Sequence, residues 1–240
     1  MYLIFMGSMF VSIVPEFTIG GYTFTYQSFL AGGILAFETV MAGTVGGSML
    51  WGDRRFGMFA QILSGPFTRT EYLFGMMMAT VSASLAGSLA LIILGFALGG
   101  VFTISLLGMG LILLTLIVGG IFFCSLMLFI AAKVDSNQTY SSIQVLIIFV
   151  ISFISNAYYP ITSATPLPLR LISYVNPLTY VTDGIRAGLV PQENMARVFT
   201  FAPFLGAIAL PVEIILLVVE TVAMFLVAYW TYRNVRVSTS

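Results

Sequence analysis

The sequence predicts an all-α polytopic membrane protein, with six membrane-crossing helices and a broken external segment before the last of them. Three observations carry this. The chain of 240 residues is 59% hydrophobic and only 8% charged, whereas soluble domains carry about a quarter charged residues. No Asp, Glu, Lys or Arg lies between Glu71 and Lys133, a run that lipid-facing helices need and a globular core does not. Against this background, residues 156–186 gather four prolines and three charges. Lipid can neither satisfy the freed backbone groups nor hydrate the ions of such a stretch, so it is no simple span.

The same composition excludes other classes. Nine basic and nine acidic residues give no net charge, hence no electrostatic footprint for nucleic acid. Histidine is absent and Cys124 is the single cysteine. A disulfide within the chain and an ordinary Ser-His-Asp arrangement are thereby ruled out, and a histidine- or cysteine-built metal site is not expected. No G-x-x-x-x-G-K-S/T phosphate loop is present, so the chain does not itself hydrolyse ATP by that machinery. Asp53 and Asp135 are expected at one face and Asp183 at the other, which leaves no metal cluster. The expectation is a non-enzymatic chain without a cofactor or metal of its own, embedded in the lipid bilayer.

Taken in order, residues 1–14 form an apolar helix that rises about 21 Å, short of a hydrocarbon layer of roughly 30 Å. With no basic flank to anchor it, it reads as a short first span or, preferably, as part of a chain whose natural beginning lies upstream. Residues 17–26, with Gly20 and Gly21, read as an external turn with no alternation long enough for a sheet. A second helix covers 27–50. Gly43 and Gly47 give it a small face for close helix contact. Glu38 within it must face protein, water or a pathway, and a structural hydrogen-bonding role is the alternative.

Residues 51–70 are the first charge cluster. Arg54, Arg55 and Arg69 mark this face as cytoplasmic. Between them, 56–63 is an amphipathic fragment closed by Gly65 and Pro66, with Phe56, Phe59 and Leu63 on one helical face. It reads as a surface helix open to a partner, or as a plain connector. A third helix covers 72–95, where Ala79, Ala83 and Gly87 are spaced for helix packing. Gly99 and Gly100 make the external return. A fourth helix over 102–131 is long enough to bend near Gly119 and Gly120. Lys133 and Asp135 mark a short inner connection, and a fifth helix covers 139–155.

The segment 156–190 then reads as a pair of short broken helices at the outer face, with Tyr158, Tyr159, Tyr174 and Tyr180 at headgroup level. Residues 191–197 form a polar external loop. A last helix covers 201–230, and Arg233 and Arg236 end the chain inside. Six basic residues fall inside and three outside (Arg170, Arg186, Arg197), which sets both termini in the cytoplasm. Glu213 and Glu220 are seven apart in the last helix, nearly on one face. With Glu38 they could line a polar pathway, as an ion- or proton-coupled secondary transporter would require. Pairing with arginines or with hydroxyls such as Thr221 is the structural reading.

Two islands resemble one family. Tyr174, Asn176-Pro177-Leu178-Thr179-Tyr180, Asp183 and Arg186 resemble the closing signature of ABC-2 type transport permeases, the membrane subunits of ABC exporters. The stretch from Asn156 through Tyr159-Pro160 to Pro168 is similar to that family's short external helices. Arg55-Phe56-Gly57, followed by Gly65-Pro66-Phe67-Thr68-Arg69 and Gly75, resembles its cytoplasmic coupling helix. The resemblance implies a single permease domain over 1–240, of the six-helix ABC-2 exporter type, in the plasma membrane. It also implies a second permease copy or related subunit, and a cytoplasmic ABC ATPase that holds the ATP and magnesium. An apolar or amphiphilic cargo (drug, lipid or glycan-like) fits both the likeness and the twenty-one phenylalanines and eleven tyrosines, and a non-transporting scaffold or accessory membrane subunit is a third reading.

Carried onto this chain, Arg54, Arg55, Phe56, Gly57, Phe59, Ile62, Leu63, Pro66 and Arg69 become the ATPase-coupling set. Pro160, Asn176, Pro177, Thr179, Tyr180, Asp183 and Arg186 become the external gate. Two departures stand out: no amphipathic helix precedes the first span, and Phe59-Ala60 replaces the acidic residue common in the coupling helix.

Overall fold

A computed structural model describes residues 16–19, 22–97, 103–161, 165–198 and 208–233. They fold as helices with one small hairpin: β1 (Glu16–Ile19), β2 (Tyr22–Thr25), α1 (Tyr26–Arg55), α2 (Met58–Ser64), α3 (Arg69–Ala97), α4 (Leu106–Lys133), α5 (Asn137–Ile154), α6 (Leu167–Ser173), α7 (Pro177–Leu189), a 3-10 turn (Gln192–Arg197) and α8 (Ala209–Arg233). Five of the helices, α1, α3, α4, α5 and α8, are long and apolar enough to cross a membrane. The sixth expected span, over 1–14, lies outside the described residues, as do Gly99, Gly100, Phe102, Phe201 and Arg236.

Three expectations are corrected. The external turn is a hairpin, with β1 and β2 antiparallel and Glu16 opposite Thr25. Only two residues, Gly20 and Gly21, separate the strands, and such a pair is a hairpin signal. The fourth helix starts at Leu106, where the Ser105 hydroxyl accepts from the Gly108 amide at 3.0 Å and caps it. The polar loop after α7 is wound into the 3-10 turn.

Local chemistry sets the other helix starts. The Thr25 hydroxyl caps α1 and the Ser136 hydroxyl caps α5. At α3, the Thr68 hydroxyl accepts from the Glu71 amide (3.2 Å) while the Glu71 carboxylate accepts from the Thr68 amide (2.7 Å). This reciprocal pair satisfies two otherwise orphaned donors.

The centre of the bundle is α4, which packs most extensively on α1 and then on α8, α7 and α3. Lipid gives no hydrophobic drive between helices, so close backbone approach must hold them. Gly43 and Gly47 provide it: a Cβ at Gly43 would lie 2.7 Å from the Phe123 backbone, and one at Gly47 would lie 2.8 Å from Met127. Of the small face expected on α3, Gly87 does meet α1, at Glu38, but the rest is rotated. Ala79 and Ala83 are exposed, and Thr80, Ser84 and Ser88, one or more positions along, are buried instead. A shift of one residue turns a helix face by about 100°. Phe149, Phe153, Val219, Val222 and Leu226 on α5 and α8 point outward, as lipid-facing side chains do.

Candidate functional site

The helices α1, α4 and α8 end, and α3 begins, at one end of the bundle, which therefore gathers Arg54, Arg55, Arg69, Lys133 and Arg233. Here the chain turns sharply. Phe56 caps α1, Gly57 follows at φ 73°, and α2 begins at Met58. That left-handed backbone suits glycine. It also breaks the single helical face expected for Phe56, Phe59 and Leu63, because Phe56 lies outside α2. The two aromatic rings diverge: Phe56 is 77% exposed and Phe59 only 2%. Phe59 is thus an internal anchor, while Phe56, Met58 and Phe67 form the exposed apolar tip. Ile62 and Leu63 are half-buried and Pro66 is exposed.

Side chains clamp this turn onto the bundle. Arg54 Nη1 donates to the Ala131 carbonyl at 2.6 Å, and Arg69 Nη1 donates to the Arg233 carbonyl at 2.9 Å. Both carbonyls sit in the last turns of α4 and α8, where a cation is favoured by the helix dipole. Arg55 is exposed. Phe59 meets Tyr72 and Tyr232 edge-on, with ring centroids 5.5 and 5.7 Å away, and the Tyr72 hydroxyl donates to Asp53 at 2.5 Å. Asp53, Tyr72 and Tyr232 were not singled out by spacing. The available signal was an aromatic at the same end of two spans, a pattern that usually marks only the interface belt.

At the opposite end, the broken segment holds two short helices, α6 and α7. Every residue from Leu178 to Leu189 is buried, and Tyr180, at 2% exposed, is enclosed by protein. The reason lies in the small residues of α7. A Cβ at Gly188 would lie 2.6 Å from the Gly108 carbonyl, and one at Gly184 would lie 2.2 Å from Thr115, so α7 seats directly on α4. Asn176 begins the helix: its side-chain oxygen accepts from the Leu178 amide (3.0 Å) and its nitrogen donates to the Ile151 carbonyl (2.8 Å). Pro177 occupies the first turn, where no amide is needed. The Tyr180 hydroxyl donates to the Tyr174 carbonyl. Thr179 is fully buried and Pro160 half-buried.

Arg186 is the most deeply buried cation among the described residues, 2% exposed. Its Nε donates to the Phe29 carbonyl at 3.2 Å and its Nη2 to the Ala157 carbonyl at 3.0 Å. The guanidinium carbon lies 3.5 Å from the centroid of the Phe29 ring, a cation–π contact strengthened by desolvation. Burial pulls its pKa down to about 9, and the Asp183 charge opposes that pull. Asn156 Nδ2 in turn donates to Asp183 Oδ1. Arg186 therefore ties α7 to the start of α1 and to the turn after α5. Phe29, Asn156 and Ala157 were missed as partners, because backbone carbonyls and a ring face leave no charge pattern in a sequence.

Of the three carboxylates, Glu38 lies on α1, and Glu213 and Glu220 lie on α8. Glu38 on α1 abuts α3 at Gly87, where a Cβ would lie 2.3 Å from its Oε1. Glu213 is fully buried and Glu220 half-buried on α8. Burial first, then the charges of Glu220, Glu213 and Asp183, hold the Tyr180 phenol above its ordinary value. Glu213 and Glu220 thus share the surroundings of α7, while Glu38 belongs to the α1–α3 contact. Thr221 turns its hydroxyl to the Leu217 carbonyl at 2.7 Å. Among the described residues, no three His, Cys, Asp or Glu side chains are grouped to hold a metal ion.

Compared with known families, residues 1–190 match the family model described as ABC-2 type transporter. No curated protein matches the chain.

Proposed function

Because the chain belongs to the ABC-2 type transporter family, we propose that it is the membrane-spanning permease subunit of an ATP-driven exporter. It pairs with a second copy or a related subunit and moves an apolar or amphiphilic substrate. The observation that carries this is the arginine-bearing end. A short helix, α2, is clamped by Arg54, Arg69 and Phe59, and it holds Phe56, Met58 and Phe67 out to solvent. Exposed large apolar side chains rimmed by charge mark a protein contact.

In this reading that end is cytoplasmic, by the positive-inside bias, and the exposed tip docks on a separate ATPase. The Asn156–Asp183 and Arg186 contacts hold the external helices as one piece with the start of α1, so motion at the inner end reaches the exit side through α1. In the same reading the exporter lies in the plasma membrane with both termini inside.

The test is reconstitution in lipid nanodiscs with a candidate ATPase subunit. Complex formation and altered ATP turnover are expected, both lost on Phe56→Ser with Phe67→Ser. Failure to bind any ATPase, together with pH-dependent transport that is lost in Glu213→Gln and Glu220→Gln, would overturn this reading and favour a carboxylate-coupled secondary transporter.

A further inference from the structure

Two tyrosines far apart in the sequence stack on each other, and one of them bonds a carboxylate. Tyr72 at the start of α3 and Tyr232 at the end of α8 have ring centroids 6.1 Å apart and planes 3° apart. Phe59 on α2 stands edge-on to both, at 74° to each ring. Asp53, in the last turn of α1, accepts from the Tyr72 hydroxyl. The Tyr232 hydroxyl is buried and has no hydrogen-bond partner among the described residues. The charges acting on it are Arg69 and Asp53.

A buried hydroxyl without a partner carries a desolvation penalty that an apolar ring of the same shape would not. A phenylalanine would therefore fill this place better if packing were the only demand. A carboxylate, moreover, has room for more than one donor. We propose that Tyr72 and Tyr232 are alternative donors to Asp53, and that Phe59, wedged between α2 and both rings, sets which of them bonds. Displacement of α2 is then delivered to the inner end of α8 by handing the Asp53 hydrogen bond from one phenol to the other. The sense of this movement rests on the permease reading above, since it is the docked ATPase that would push α2. The shared carboxylate itself does not depend on that reading.

A double-mutant cycle on the full chain in nanodiscs tests the shared carboxylate, with the apparent thermal midpoint at a fixed heating rate as readout. Tyr232→Phe removes only the unpartnered hydroxyl and is expected to raise the midpoint by about 2 °C. Tyr72→Phe alone is expected to lower it little, because Tyr232 takes over Asp53. The double variant leaves Asp53 without either phenol, and its midpoint is expected to fall well below the sum of the single shifts. Additive shifts would overturn the competition.

A second arm measures the change in ATP turnover that the permease causes in its ATPase. Tyr232→Phe is expected to reduce that change several-fold while raising the midpoint, a combination that a purely structural tyrosine does not produce. An unaltered response would overturn delivery to α8. A wild-type chain that alters no ATPase would instead overturn the permease reading, and the cycle alone would still decide whether the two phenols share Asp53.

Discussion

Replacing Arg186 by methionine should be the most damaging single conservative-volume change in the chain. Methionine can fill the space that the arginine stem occupies beside Gly32, where a Cβ would lie 2.6 Å from the Arg186 Cγ. What it cannot replace are the donors to the Phe29 and Ala157 carbonyls and the cation over the Phe29 ring. It also removes the positive charge that acts on the buried Asp183. Removing one member of a buried charge cluster costs about 3–5 kcal/mol, mostly through the charge left behind. For a chain of this size, 1 kcal/mol corresponds to about 3 °C, so the midpoint should fall by about 10 °C. The fluorescence of Trp51 and Trp230, followed in nanodiscs at a fixed heating rate, reads it out. Adding Asp183→Asn removes the stranded charge while keeping an acceptor for Asn156, and several degrees should return. A fall of less than about 3 °C for Arg186→Met, or a double variant less stable than the single, would refute the role of Arg186 in tying α7 to α1.

Other expectations follow from particular contacts. Gly33→Ala should destabilise by about 1–3 kcal/mol, because its Cβ would lie 2.0 Å from the Ala157 carbonyl oxygen, a backbone atom that cannot step aside. Gly75→Ala meets nothing within 4 Å and should be neutral or raise stability by up to about 1 kcal/mol; the opposite order of midpoints would contradict the packing. Asn176→Ala loses both the helix cap and the link to Ile151. It should cost about 1–2 kcal/mol and speed amide exchange at the start of α7, so unchanged exchange there would count against the cap. Phe56→Ser should leave the midpoint within about 1 °C while weakening ATPase binding, whereas Phe59→Ser should cost about 3 kcal/mol. Reversed effects would mean that the inward and outward rings are misassigned.

The sequence alone determined the class of molecule. A charge-free run as long as that between Glu71 and Lys133 has one solvent that suits it, and the spans found at α1, α3, α4, α5 and α8 lie within a few residues of their expected places, apart from the later starts of α4 and α8. The prolines and Asn176 marked the break into α6 and α7 because backbone chemistry is local: a proline removes its donor wherever it stands. The arginines marked one end of the bundle for the same reason.

What each ring and charge faces was decided by the tertiary structure. Phe56 and Phe59 are three residues apart and alike in composition, yet a glycine at positive φ sends one to solvent and the other between Tyr72 and Tyr232. Nothing in the sequence around Arg186 names its partners, the Phe29 and Ala157 carbonyls, 157 and 29 residues away. Hydropathy and periodicity report what a residue prefers within a turn or two of helix. They carry no record of which distant backbone approaches it, and in lipid, where helices gain nothing by merely burying apolar surface, that approach is what places the polar groups.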